Sequence, residues 1–321
     1  MSTATETAPN GSKQKLTFKE KLSYAMGQMP GTFYGSFTGQ IQAFWYTWMG
    51  LGIKYIIIAQ ILYGIWNLVN DPIFGVLQDR TRSKDGRYIP WIKWFSPLFT
   101  IAFIILFLPP QLWRYGTGGE QYQLSLFAWY LLSQMFYDTF FTIVYLAHVS
   151  LLPQMTMDQE ERTEISILSS ITGVIGIAGS AIFPLLYLTN PTEEKIASFQ
   201  MVVIIIGCVA LLPWIFIIKN VKERQEFIPP KETPFVESVK CVFKNPSGRI
   251  YMIYDGISVG LLNGAMTAIT FLMAWVFGLN EDYNPGWGIV DLLPYLVPVV
   301  LCFGIGDRKS TRLNSSHRIR S

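Results

Sequence analysis

Asp71 lies inside an otherwise apolar run, IKYIIIAQILYGIWNLVNDPIFGVLQ, where an ionisable side chain is costly and by default marks a working position. On a helix Tyr63, Asn67, Asp71 and Gly75 recur every four residues and share one face, so a phenol, an amide and an acid form a single stripe. Oxygens at that density around one negative charge can hold a monovalent cation or exchange a proton. A second acid, Asp138, heads a stripe with Gln134, Thr142 and Tyr145 in LLSQMFYDTFFTIVYLAHVSLL. A third stripe, Gln28, Thr32, Ser36 and Gln40, runs beside glycines at 27, 31, 35 and 39. Trp66 and Tyr145 are deep enough in their runs to stack on a ring-shaped solute. We expect Asp71, Asn67 and Asp138 at a cation or proton site. Gln28, Thr32, Tyr63, Trp66, Gln134, Thr142 and Tyr145 are expected along a solute cavity.

The run carrying Asp71 ends in DRTRSKDGRYIPW, with Asp79, Arg80, Arg82, Gly86 and Arg87 in a basic loop. A carboxylate at a helix end beside fixed cations can join two helices in one arrangement and release them in another, which gating requires. Glu161 and Arg162, after the Asp138 run, offer a matching contact. Asp79, Arg80, Arg87, Glu161 and Arg162 are therefore candidate gating residues, while Lys84 serves to fix orientation. His148 is a lone histidine, expected to pack rather than relay. Cys208, Cys241 and Cys302 are scattered without ligand spacing and say nothing about a metal or a disulfide; no metal ligand is among the candidate site residues. The chain has no HExxH, GxSxG or P-loop, and its acids have no partnered nucleophile, which argues against an enzyme and against a cofactor.

The elements that position these residues must be membrane helices. Half of the residues are hydrophobic, 15% are charged and the mean hydropathy is +0.31, too apolar for a soluble surface. Apolar segments fall at about 22–50, 53–78, 91–110, 124–152, 165–189, 197–218, 249–279 and 286–306. Each is near or above the ~20 residues that cross a bilayer, and the runs are continuous rather than alternating, which excludes a barrel. The expected fold class is all-α, polytopic. No signal peptide is visible in MSTATETAPNGSKQK. Lysines and arginines gather at the N-terminus and after the second, fourth and sixth runs, against Lys54, Arg114 and Lys195 on the other side, so the N-terminus is expected in the cytoplasm.

Runs one and seven share a glycine ridge, a polar stripe and a basic lead-in, the second set being Gly256, Gly260 and Gly264 with Asp255, Asn263 and Thr267. Glycines at this spacing serve close helix packing; with the stripe and lead-in they suggest two halves of six spans around a cavity. Expected divisions are a cytoplasmic segment 1–21, a six-helix bundle 22–218, a linker 219–248, the start of a second bundle 249–306 and a non-native tail 307–321. The tail, DRKSTRLNSSHRIRS, switches abruptly to basic, aperiodic sequence and resembles linker-derived read-through. Removing it turns the net charge of +3 into −1, so the basic balance implies no nucleic-acid partner.

The stretch from Trp66 to Trp91 resembles the glycoside-pentoside-hexuronide:cation symporters, the melibiose-permease-like branch of the major facilitator superfamily, through the pattern WxxxNDPxxGxxxDRTRSxxGRxxPW. SLLPQMTMDQEERTEIS resembles the same family's LxPxxTxDxxERT segment. The resemblance implies twelve helices, about eight of them in this chain, so a C-terminally truncated member. It implies alternating access in the plasma or inner membrane and uptake of a sugar, glycoside or related solute coupled to a monovalent cation, with Asp71 in the cation site. Members that use Na⁺ carry an acid where this chain has Asn67, and similarly at Thr32 and Tyr145, which favours H⁺ over Na⁺ here. A lysolipid carrier with a similar motif, and a non-transporting receptor or scaffold on the same fold, are the alternatives. Trp45, Trp48, Trp91, Trp94 and Trp113, near run ends, are expected at the membrane interfaces.

Overall fold

Thr17 opens the first helix by a capping box: its hydroxyl accepts from the Glu20 amide at 3.3 Å and the Glu20 carboxylate accepts from the Thr17 amide at 2.8 Å. The computed structural model describes residues 15–38, 41–114, 120–188, 193–224, 243–254, 256–258 and 261. Two compact units divide the chain, Met1–Val242 and Phe243–Ser321. In the first, the helices are α1 (Phe18–Met26), α2 (Gln28–Thr38), α3 (Ile41–Ala43), α4 (Ile53–Asp79), α5 (Ile89–Leu106), α6 (Gln123–Met155), α7 (Gln159–Leu188), α8 (Glu193–Ala210) and α9 (Leu212–Asn220). A π-helical turn, Phe44–Trp48, follows α3. No strand occurs among the described residues.

Four segments among the described residues are long and apolar enough to cross a membrane: Ile53–Asp79, Ile89–Trp113, Gln123–Met155 and Ile196–Asn220. At ~1.5 Å per residue, the 27 residues of α4 exceed the ~30 Å hydrocarbon core, so this helix tilts or projects beyond it. The first run is broken between α1 and α2. Pro30 has no N–H to give Met26, and a proline ring crowds the carbonyl four residues before it, which bends a helix there. Carbonyls beside the break are taken by other helices: His148 Nε2 bonds Tyr24 O at 3.0 Å and Thr172 Oγ1 donates to Ala25 O at 2.6 Å.

The helices pair in a pattern that repeats after three. α4 and α5 both pack on α6, α2 packs on α7, α1 packs on α7 and α9, and α5 packs on α8 and α9. Counting α1 to the π-turn as one span and α8 with α9 as another gives six. Exchanging the first three with the last three then turns α4 on α6 into α7 on α2, and α5 on α6 into α9 on α1. This is the three-plus-three repetition found inside halves of carriers of the major facilitator type.

The core is aromatic. Tyr34, Phe37, Phe44, Phe99, Phe103, Phe107 and Phe199 are fully buried and meet edge-on or tilted. Trp45 and Trp48 belong to it, at 0% and 2% exposed, packed on Tyr130 and Phe199. Their expected interfacial place is thus corrected: the turn at Phe44–Trp48 directs them inward. Trp94, 70% exposed, keeps a place compatible with an interface.

In the second unit, residues 243–254 and 256–258 are largely helical, and Asn245 Oδ1 accepts from the Ser247 amide at 3.0 Å near the start. Asp255, Gly260, Asn263, Gly264, Thr267, the eighth apolar run and residues 307–321 lie outside the described residues. So do Gly39, Gln40 and most of the expected linker.

Candidate functional site

The contact of α4 with α6 gathers most of the expected site. Asp138, 4% exposed, accepts through Oδ1 from Tyr63 Oη at 3.0 Å and Asn67 Nδ2 at 3.1 Å. Its Oδ2 accepts from Asn67 Nδ2 at 3.3 Å and Asn70 Nδ2 at 3.2 Å. An ionised carboxylate offers about four acceptor positions, and here four contacts occupy them. Asp71 is placed differently. It is exposed, and its Oδ1 accepts from the Thr142 hydroxyl at 2.8 Å. Thr142 in turn accepts from Asn70 Nδ2 at 3.1 Å, so Asn70 and Thr142 link the two acids.

Gln134 belongs to a separate group on the same pair of helices, where Gln60 Nε2 donates to Gln134 Oε1 at 3.2 Å and to Tyr130 Oη at 2.6 Å. Trp66 joins the same helix contact through Thr139, at 3.2 Å. Sequence reasoning missed Asn70, Gln60 and Tyr130. Asn70 was within reach, since it follows Asn67 by three and Tyr63 by seven and shares their face under helical periodicity.

Tyr145, Gln28 and Thr32 are elsewhere. Tyr145 turns to α2, where its hydroxyl donates to Gln28 O at 3.4 Å and its ring lies against Gly31. Thr32 donates to carbonyls of its own helix, Met29 at 3.0 Å and Gln28 at 3.3 Å. A cavity of about 200 Å³ opens between α1–α2, α6 and α7, lined by Tyr24, Gln28, His148, Val149, Leu152, Ile165, Ser166 and Ser169. Of the expected cavity residues, Gln28 alone lines it. His148 is buried and stacked on Tyr24 with ring centroids 4.4 Å apart. Since a carbonyl can only accept, its Nε2 carries the hydrogen toward Tyr24 O, and Nδ1 is a bare acceptor with no partner among the described residues.

At the far end of α4, Asp79 Oδ1 accepts from Tyr88 Oη at 2.8 Å and lies 3.9 Å from Arg87 Nη1. Burial, reinforced by the Asp79 bond, pushes the Tyr88 phenol up to about 12, so it stays a donor. Arg87 is buried and Arg80 is exposed. Glu161 and Arg162 take different partners. Glu161 accepts from the Leu16 amide at 2.8 Å and the Thr156 hydroxyl at 2.6 Å, with Lys21 Nζ at 3.8 Å. Burial works to raise its carboxyl, but those two bonds and Lys21 outweigh it and hold the group below its ordinary range. Arg162 Nε donates to Thr156 O at 3.0 Å. The residue that binds the basic loop most fully, Glu223, carried no local signal in the sequence. It accepts from the amides of Arg87, Tyr88 and Ile89 at 2.6, 2.6 and 2.8 Å.

A profile of the MFS/sugar transport protein family matches residues 23–309. The chain belongs to this family. Within the family it is similar to symporters of the glycoside-pentoside-hexuronide:cation kind. The inner membrane symporter YicJ of Escherichia coli is 24% identical over 276 residues, 84% of this chain and 56% of the relative. The isoprimeverose transporter of Lactiplantibacillus pentosus is 23% identical over 250 residues, 76% of this chain and 50% of the relative. The sodium-dependent lysophosphatidylcholine symporter 1 of Mus musculus is 27% identical over 174 residues, 53% of this chain and 32% of the relative. The chain thus spans about half the length of the bacterial relatives it matches. Membership in the MFS/sugar transport family, with four apolar segments long enough to cross a bilayer among the described residues, makes it a multi-pass helical membrane protein.

Proposed function

We propose that the protein is a secondary transporter that moves a sugar, glycoside or related hydroxylated solute by alternating access, coupled to H⁺ or, failing that, Na⁺. The observation that carries this reading is the linked pair of carboxylates between α4 and α6. Asp138, with its acceptor positions filled by Tyr63, Asn67 and Asn70, is the immobile member of the pair. Asp71, exposed and held by one hydroxyl, is the group that exchanges the cation. Two carboxylates in a low-dielectric helix contact attract a cation more strongly than one. Protonating Asp71 would turn it from acceptor to donor toward Thr142, and Asn70 would pass that change to Asp138.

For the solute, support comes from the isoprimeverose relative and from the lining of the 200 Å³ cavity, where Gln28, Ser166, Ser169 and Tyr24 offer hydroxyl and amide groups. The basic clusters at 15–21 and 80–93 support an orientation with the N-terminus and the loop after α4 on the cytoplasmic side of the plasma or inner membrane. A lysolipid is the second reading, favoured by the mouse relative.

A solute panel added to de-energised, weakly buffered vesicles containing the protein tests this. Proton symport gives an external alkaline shift with the right solute; sodium symport gives uptake that needs Na⁺ without that shift. Flux of lysophosphatidylcholine with none of the sugars would move the assignment to the second reading. Solute binding without any flux would reject transport.

A further inference from the structure

The ion pair at the end of α4 is too weak to hold the loop it sits in. The Asp79 side chain is 63% exposed and 3.9 Å from Arg87, the kind of pair that contributes little in water. Glu223, just past the end of α9, is bound far more completely. Three consecutive main-chain N–H groups donate to its carboxylate at 2.6 to 2.8 Å. They lead into α5, from the residue before its N-cap to its first residue, and the N-cap residue, Tyr88, makes no side-chain cap bond. Glu223 therefore supplies, from across the bundle, the acceptor and the negative charge that a helix N-terminus lacks.

Gly86 shows how closely the two segments meet. Its φ of +113° suits glycine, and a Cβ there would lie 2.6 Å from Glu223 Oε1. On either side, the Arg224 amide donates to Gln154 O at 3.0 Å and Asn220 Nδ2 donates to Ser23 Oγ at 3.1 Å. The chain leaving α9 is thus tied to α5, α6 and α1 within five residues, 220–224.

We propose that Glu223 is a latch: a positioning residue that holds residues 86–89 against the exit of α9, and through which Asp79, Tyr88 and Arg87 act. A pull on the chain beyond residue 224 reaches the basic loop through this carboxylate. Its use in gating rests on the transporter reading; the contact itself does not.

Trypsin digestion of the purified chain in lipid nanodiscs reads the latch directly. In the wild type, cleavage after exposed Arg82 is expected to proceed while cleavage after buried, latched Arg87 is suppressed. Glu223→Ala and Gly86→Ala should each raise cleavage after Arg87, relative to Arg82, by roughly tenfold or more, the scale set by losing several hydrogen bonds to a charged group. Glu223→Asp should keep part of the protection and Glu223→Gln little, because an amide offers one acceptor and turns its N–H groups toward other donors. Unchanged ratios in both alanine variants would overturn the proposal. Should those variants fail to fold, hydrogen exchange in the wild type decides: amides 87–89 exchanging as fast as the exposed loop amides 82–85 would also overturn it. In cells, Glu223→Gln should lower the maximal uptake rate with the half-saturating solute concentration unchanged. Lost protection with an unaltered rate would remove the gating role, whereas no uptake even by the wild type, with protection intact, would reject the transporter reading and leave the latch supported.

Discussion

The contact of α4 with α6 and the contact of α2 with α7 occupy equivalent places in the three-plus-three repeat, yet they are built from opposite materials. Between α4 and α6 the side chains meet as donors and acceptors around Asp138, and the glycine there, Gly75, has ordinary room, a Cβ lying 3.6 Å from Leu146. Between α2 and α7 the backbones themselves meet. A Cβ at Gly176 would lie 2.8 Å from Met29 O, and one at Gly173 would lie 3.3 Å from Gln28 Cγ. One contact thus holds charge in place, while its counterpart uses small residues for close approach, the common device of helix packing in lipid. The break at Gly27 and Pro30 lies in the glycine-rich member of the pair. In this bundle the same geometric relation serves chemistry once and packing once.

Removing Asp138 should break the comparison most severely. Asp138→Leu leaves the donors of Tyr63, Asn67 and Asn70 facing an apolar side chain, at a cost of about 3–5 kcal/mol in thermal unfolding of the purified protein. Next in size, Gly176→Val drives a branched side chain toward a main-chain carbonyl and Thr32, costing about 1–3 kcal/mol. The double variant should cost the sum of the two within ~0.5 kcal/mol if the contacts are independent, and a larger departure would show that they are coupled.

A smaller effect is expected at the tie between the lead-in of α1 and the start of α7. Glu161→Gln should destabilise by about 1–2 kcal/mol at pH 7, through weaker bonds to Leu16 and Thr156. The folded-state carboxyl titrates below its ordinary 4.5, so this stabilisation is present above that value and disappears as pH falls through the lower, folded-state value. Wild type and variant should therefore converge in acid; a difference that persists there would assign the effect to packing. The smallest effect has the opposite sign. Gly35, unlike Gly176, has open space around it, so Gly35→Ala should stabilise by about 0.5 kcal/mol through helix propensity alone. Equal and same-signed effects at Gly35 and Gly176 would erase the distinction between a packed and an unpacked glycine on this pair of helices.

Periodicity made the two polar stripes readable in the sequence, but not that they face each other across α4 and α6. Tyr63, Asn67, Asp71, Asp138 and Thr142 stand at helical intervals in apolar runs, and a polar side chain there needs a partner on a neighbouring helix. The same rule overreached for Tyr145, which shares the spacing of Thr142 loosely but turns to α2. Glycine spacing was legible as packing, but which glycine is crowded was not: Gly27 and Gly31 meet His148 and Tyr145, whereas Gly35 meets nothing. Trp45 and Trp48 resembled an interfacial belt because composition at a run end does not say which way the chain turns next. Glu223 was invisible for a different reason. Its partners lie 134 to 136 residues away and are main-chain amides, which every residue but proline has, so no pattern of side chains announces them.

The division of labour between the two acids is tested most directly by gradient-driven uptake and solute exchange measured side by side for Asp71→Asn and Asp138→Asn in vesicles of matched protein content. The account predicts that Asp71→Asn abolishes accumulation against a gradient while solute exchange between the two sides continues. Asp138→Asn, in contrast, should depress both together. Accumulation retained by Asp71→Asn would contradict the assignment of the exchanging carboxylate.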